Sequence, residues 1–184
     1  VMIDRKEEVG CDIVLENHRE NAYNLVSWLL KNKPCCQVLM LFGWIDSFNT
    51  RMCMEGSDQA FAEAGKPEEE ILRVITSRRI DIVVDALAQF SKRIQKGQRP
   101  LIVAFGSDIL EYVAMEIHRS YPEWIGNVDV AGFAQAGTAE KLGMQCSLVI
   151  KNPEAVGITA AELLHKKIEE EKKEEAPKLY DIKV

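Results

Sequence analysis

The sequence predicts an α/β fold built on doubly wound parallel sheet, with helices on both faces. Three observations carry this. The runs QVLMLF (37–42) and LIVAF (101–105) are apolar without alternation, as strands buried on both faces must be. Segments with apolar residues spaced three and four apart stand between such runs. The connections are short turns of the kind that join β-strands to crossover helices.

Taken in order, residues 1–4 are short and apolar, and 11–15 follow a charged turn as a second strand. Asn17 is a helix-capping type, and 18–33 place Ala22, Leu25, Val26, Leu29 and Leu30 on one face before Pro34 ends the helix. The strand 37–42 ends at Gly43. A helix over 47–64 has Gly65 just past its end, the usual glycine stop. Residues 71–75 form a weaker strand. A strong amphipathic helix spans 80–96, with Val83, Val84, Leu87, Phe90 and Ile94 along one side. Strand 101–105 leads into helix 108–120, whose first turn holds Asp108 and Glu111, favourable at a positive helix end. Strand 128–133, a short helical piece 138–143, strand 146–150, a long helix 153–173 and a last strand 179–184 complete the alternation.

The chain has 184 residues, which is one domain or at most two small ones. Its net charge of −6 argues against a nucleic-acid surface on these residues. No stretch approaches the ~18 consecutive apolar residues of a membrane span, and the first residues lack the apolar run of a secretory signal. Five cysteines are too few and odd in number for a disulfide scaffold, so free thiols in a reducing cytoplasm are expected. No glycine-rich phosphate loop, dinucleotide fingerprint, zinc motif or nucleophile elbow is present, so neither a cofactor nor a metal is expected. His18, His118 and His165 fall on helices among polar neighbours and read as solvated. Cys53 reads as a packing residue, with a thiol nucleophile on a doubly wound sheet as the enzymatic alternative.

Ligands of open parallel sheets bind beyond the carboxyl ends of the strands. The residues in those places are Gly43, Trp44, Asp46, Ser47 and then Arg51; Thr76 to Arg79; Gly106 to Asp108; and Ala134 to Gly137. Trp44 or Phe133 can stack on a flat or sugar-like ligand, while Arg51, Ser107 and Asp108 can fix its polar groups. Ser47 and Ser107 are equally suited to capping the helices they precede.

The stretch VMIDR…IVLENHRENAYNLVSWLLKNKPCCQVLMLFG resembles the effector-binding region of LacI/GalR transcription regulators. The likeness continues through a Ser-x-x-x-Arg…Glu-Gly…AFAEAG pattern, KGQRPLIVAFGSD…AMEIHRS and VDVAGF, and closes with ITAAELLHKKIEE. It implies a type I periplasmic-binding-protein-like fold of two Rossmann-like lobes around a ligand cleft, one of them incomplete here. Residues 17–133 and 151–184 are expected to form a complete C-terminal-type lobe, and 1–16 with 134–150 the remnant of the other. Crossovers are expected near 16–17, 133–135 and 150–152. The resemblance also implies a homodimer, a small-molecule effector, and DNA contact only through a helix-turn-helix module upstream of this chain. It implies, too, a cytoplasmic, non-enzymatic regulator with no membrane contact.

Departures from the family pattern bear on the ligand. The family's Arg three residues before the helix glycine is Cys53 here, with Arg51 the nearest arginine. Ser107 stands for the family's Asn, and Gly132-Phe133-Ala134-Gln135 lacks the family's two carboxylates; Asp4 and Asp108 stand at matching positions. Charged hydrogen bonds contribute about 1.5–3 kcal/mol each, so these losses point to a non-standard sugar, another metabolite, or no ligand at all. The expected cleft residues are Asp4, Arg51, Ser107, Asp108, Phe133 and Gln135. A ligand-less dimerisation or interaction scaffold and a secreted sugar binder are the remaining alternatives.

Overall fold

A computed structural model describes residues 1–3, 10–33, 35, 37–169 and 178–182. The alternation legible in the sequence is present as two parallel sheets. The first three elements are β1 (Met2–Ile3), β2 (Ile13–Glu16) and α1 (His18–Asn32). They are followed by β3 (Val38–Phe42), α2 (Phe48–Glu63), β4 (Ile71–Ile75), α3 (Ile80–Ser91), β5 (Leu101–Phe105) and α4 (Ser107–Ser120). The chain continues through β6 (Asp129–Ala134), α5 (Thr138–Leu142), β7 (Cys146–Ile150), α6 (Pro153–Glu169) and β8 (Leu179–Ile182).

The larger sheet has five strands in the order β4-β3-β5-β6-β7, and the smaller has three in the order β1-β2-β8. Burial follows the pleat of the larger sheet. Leu39 and Leu41 of β3, with Ile102 and Ala104 of β5, pack under α3 and α4 against Val83, Leu87, Phe90 and Ile117. Val38, Met40 and Phe42, with Leu101 and Val103, face the opposite way onto Leu25, Val26 and Leu29 of α1 and Phe61 of α2. Every residue of β3 is fully buried, which is why its sequence shows no alternation. The smaller sheet has its own core, where Val14 meets Val156 and Ala160 of α6, with Tyr180 and Ile182 against them.

Helix ends account for several boundaries. Asn17 caps α1 as expected: its Oδ1 accepts from the Glu20 amide at 3.1 Å, and its Nδ2 donates to the Glu20 carboxylate at 2.9 Å. Pro34, the expected stop, lies outside the described residues, as do the end of helix 153–173 and the charged turn before β2. Helix α3 is shorter than the apolar period suggests. The amides of Arg93 and Ile94 bond three residues back, to Phe90 and Ser91, and Gly97 turns the chain at φ 85°.

The sheet pairing differs from the grouping expected of the two lobes. β7 runs in register with β6 from Val130↔Cys146 to Ala134↔Ile150, so 134–150 stays in the larger sheet. β8 instead pairs with β2, and α6 covers the smaller sheet. The chain therefore changes sheet at 16–17 and again at 150–152, but not at 133–135. A continuous parallel ladder with β6 satisfies the facing backbone groups of β7 and keeps it in the larger sheet.

Helices α1 and α2 touch backbone to backbone at Gly56. A Cβ there would stand 2.1 Å from the Arg19 carbonyl oxygen and 3.0 Å from the Tyr23 amide nitrogen. Alanine favours a helix over glycine by about 1 kcal/mol, whereas overpacking costs about 1–3 kcal/mol. Because the clash is with backbone, the second effect wins. Gly56→Ala is expected to lower the melting temperature, measured by circular dichroism.

At the amino ends of β5 and β6, the Asp129 carboxylate accepts from Arg99 at 2.6 and 3.1 Å and sits 3.4 Å from the Lys33 ammonium. The Arg99 guanidinium, more than the nearby Lys33, holds the Asp129 carboxyl below its ordinary value of 3.8. A carboxyl depressed in the folded state contributes stability above its unfolded pKa and loses it as pH falls through the folded one. Thermal melts should therefore fall steeply below about pH 4. Asp129→Asn should lose about 1.5–3 kcal/mol at pH 7 and show a shallower acid dependence.

Candidate functional site

The strand order reverses between β3 and β5, and the crevice at their carboxyl ends is where an open parallel sheet takes a ligand. A cavity of about 90 Å³ lies there, lined by residues that include His18, Trp44, Thr50, Arg78, Phe133 and Lys151. Its floor is aromatic. Phe42, Phe105 and Phe133 stand near the ends of three neighbouring strands on one face of the sheet. Phe42 stacks on Phe105 at 5.1 Å and 8°, Phe105 meets Phe133 edge-on at 5.0 Å, and Phe133 stacks on His18 at 6.3 Å.

The rim is set by the turn after β4. Thr76 is fully buried; its amide and its hydroxyl both donate to the Phe42 carbonyl oxygen, at 2.8 and 2.7 Å. The same hydroxyl accepts from the Arg78 amide at 3.1 Å. Ser77 and Arg78 follow in the left-handed region, at φ 48° and 58°, uncommon for residues with a Cβ. This turn lays the Arg78 guanidinium over the Trp44 ring, 4.9 Å from its centroid, and brings it within 3.4 Å of the Asp108 carboxylate. Trp44 itself is 53% exposed, so one face of its indole meets solvent beside Arg78.

A larger groove of about 370 Å³ adjoins this cavity and runs between the two sheets, past Ile3, Glu16, Gln135, Pro153 and Val156. Lys151 lines both spaces. Its amide donates to the Ala134 carbonyl oxygen at 2.9 Å, while the Asn152 amide donates to the buried Glu16 carboxylate at 2.8 Å. The second chain passage between sheets is thus pinned to the end of the first.

Of the residues expected from the sequence, Phe133 lines the cavity and Asp108 reaches it through Arg78. Gln135 lines the groove, and its amide donates to the Ser107 hydroxyl at 3.0 Å. Arg51 does not line either space: it is exposed on α2, and its guanidinium donates to the Asp46 carbonyl oxygen at 3.1 Å. Asp4 lies outside the described residues. Neither of the two serines, equally suited to capping or to a ligand, caps its helix through its side chain. Ser47 precedes α2 without a side-chain cap bond, and Ser107 is the first residue inside α4. His18 is not solvated but 3% exposed in the cavity wall, because α1 opens directly off the buried end of β2.

Arg78 stood among the strand-end residues, but the two left-handed conformations that aim it have no glycine or other signal in the sequence. Lys151 was within reach of the strand-end rule, as the residue after β7. Among the described residues no group of three His, Cys, Asp or Glu side chains could hold a metal, and no helix is long and apolar enough to cross a membrane.

No family model and no curated protein sequence matches this chain. Solved structures do. A LacI family transcriptional regulator from Enterococcus faecium with bound ribose superposes at a TM-score of 0.78 and 15% identity over 98% of this chain. The Cra transcriptional dual regulator of Pseudomonas putida, in complex with fructose 1-phosphate, gives 0.77 at 17% identity over 98%. An ABC transporter periplasmic solute binding protein from Actinobacillus succinogenes, with bound D-allose, gives 0.75 at 16% over 98%. The fold is the type I periplasmic-binding-protein-like fold. This chain spans only 65%, 65% and 66% of those three chains. All three are regulators or binding proteins, and none is an enzyme.

The enzymatic alternative built on Cys53 meets a physical obstacle within this fold. The thiol is 3% exposed, and burial pushes its pKa up to about 12. Such a group has almost no thiolate at neutral pH. Under native conditions at pH 8, Cys53 is expected to resist iodoacetamide and to react only after unfolding. Mass spectrometry of the labelled peptides checks this; rapid native labelling of Cys53 would contradict its burial.

Proposed function

We propose that this chain is the effector-sensing region of a LacI/GalR-like transcription regulator. It binds a small molecule, a sugar or related metabolite, in the crevice between the two sheets. The observation that carries this reading is the strand-end cavity with its aromatic floor, Trp44 and Arg78 on its rim, and Lys151 linking it to the inter-sheet groove. A half-exposed indole offers a stacking face, and the surrounding charged and hydroxyl groups orient a polar ligand. The sugars named in the similar structures support the same class of ligand.

Ligand binding acts by population shift. A molecule touching the aromatic floor and the smaller sheet at once favours the arrangement in which the sheets close on it. That bias passes to a homodimer contact and from there to a DNA-binding module outside this chain. A regulator of this kind works in the cytoplasm, needs no resident cofactor and performs no reaction.

Isothermal calorimetry against a panel of pentoses, hexoses, nucleobases and their phosphates tests the reading. Binding of at least one compound, weakened by Trp44→Ala with little change in melting temperature, is the expected result. Absence of heat across the panel, repeated on the full-length regulator, would instead favour a ligand-less interaction scaffold.

A further inference from the structure

Resting on the sensing reading, we infer that the effector carries an oxyanion, a phosphoryl or carboxylate group, held between Arg78 and Lys151. The charged side chains that line the strand-end cavity are these two cations; no described Asp or Glu lines it. A carboxylate in the lining would accept from the hydroxyl groups of a neutral sugar, each of which has one O–H to donate. Here the charged groups of the lining are donors only.

Several features make Arg78 a receptor rather than a bystander. Its backbone sits in the left-handed region beside a second strained residue, Ser77, with the Thr76 hydroxyl holding the turn to β3. Strain maintained by a buried hydrogen-bond lock serves to aim a side chain. The guanidinium carbon lies over the Trp44 ring, 4.9 Å from its centroid, a cation–π contact that uses the ring face and none of the N–H donors. Asp108 approaches one nitrogen at 3.4 Å, too long for the tight two-point pair that would occupy the fork. A planar fork with open donors matches two oxygens of a phosphoryl or carboxylate group.

Lys151 supplies the second charge. Among the described residues no carboxylate pairs with its ammonium, and Glu16, which shares the adjoining groove, is turned to the Asn152 amide. The start of α2 faces the same cavity through Ser47, Asn49 and Thr50, and Ser47 makes no side-chain cap bond there. The positive end of a 16-residue helix adds to the field of the two cations. The rest of the ligand then extends along the inter-sheet groove, past the apolar side chains of Ile3, Pro153 and Val156.

The test titrates the chain with glucose, glucose 6-phosphate, gluconate and inorganic phosphate by calorimetry. Trp44 emission, assigned with Trp44→Phe, serves as a second readout. The charged compounds are expected to bind at least about tenfold tighter than glucose, with inorganic phosphate competing. Their advantage should shrink between about 50 mM and about 500 mM salt. Arg78→Gln and Lys151→Gln should each remove most of that advantage while the ligand-free melting temperature changes little. A response to glucose 6-phosphate but not gluconate assigns a phosphoryl group, and the reverse a carboxylate. Glucose binding as tightly as its charged counterparts, or charged compounds binding both glutamine variants undiminished, overturns the oxyanion while leaving the sensing reading intact. Absence of binding by all four probes overturns the oxyanion. Absence of binding by the wider metabolite panel as well removes the sensing reading.

Discussion

At the carboxyl end of β3 the carbonyl oxygen of Phe42 accepts two hydrogen bonds from one residue, the amide and the hydroxyl of Thr76. Both groups are buried, so leaving either unmade would cost the desolvation of a polar atom. This pair ties the turn after β4 to the central strand of the larger sheet. It also holds Ser77 and Arg78 in conformations that each cost on the order of 1 kcal/mol. With the lock in place, Arg78 lies over Trp44 and beside Asp108, and elements distant in the chain converge on one crevice.

The crevice inherits its shape from parallel pairing. Neighbouring strands in register present the same face at the same height, so Phe105 stands opposite Phe133, with Phe42 next in the row. Opposite this aromatic row, the groove closes against the smaller sheet, where the chain crosses twice. The Glu16 carboxylate receiving the Asn152 amide joins these two crossings, so the sheets meet at the edge of the site. Lys151 stands at that junction and belongs to both spaces.

Much of the candidate site was legible only as a region. The strand-end rule located Trp44, Thr76, Arg78, Ser107 and Asp108, because loop positions after buried strands follow from chain order. It did not separate Arg78, which enters the site, from Arg51, which turns back to the Asp46 carbonyl. The serine pattern suits capping and ligand contact equally; the structure adds the Gln135 amide, 28 residues beyond Ser107, which donates to its hydroxyl. His18 read as solvated from its polar neighbours. A helix that starts at a buried strand end puts its first residue inside, whatever the polarity of its neighbours.

The sequence by itself determined the alternation of strands and helices, the continuous burial of β3 and β5, the Asn17 cap and the loops that surround the crevice. These depend on local periodicity and on hydrogen bonds between residues three or four apart. Tertiary structure alone decided that β7 joins the larger sheet, that β8 and α6 join the smaller, and that Arg78 and Lys151 share one cavity. Those outcomes depend on which distant backbone edges and buried polar groups satisfy one another. Residues far apart in the chain settle that question, and no local pattern records it.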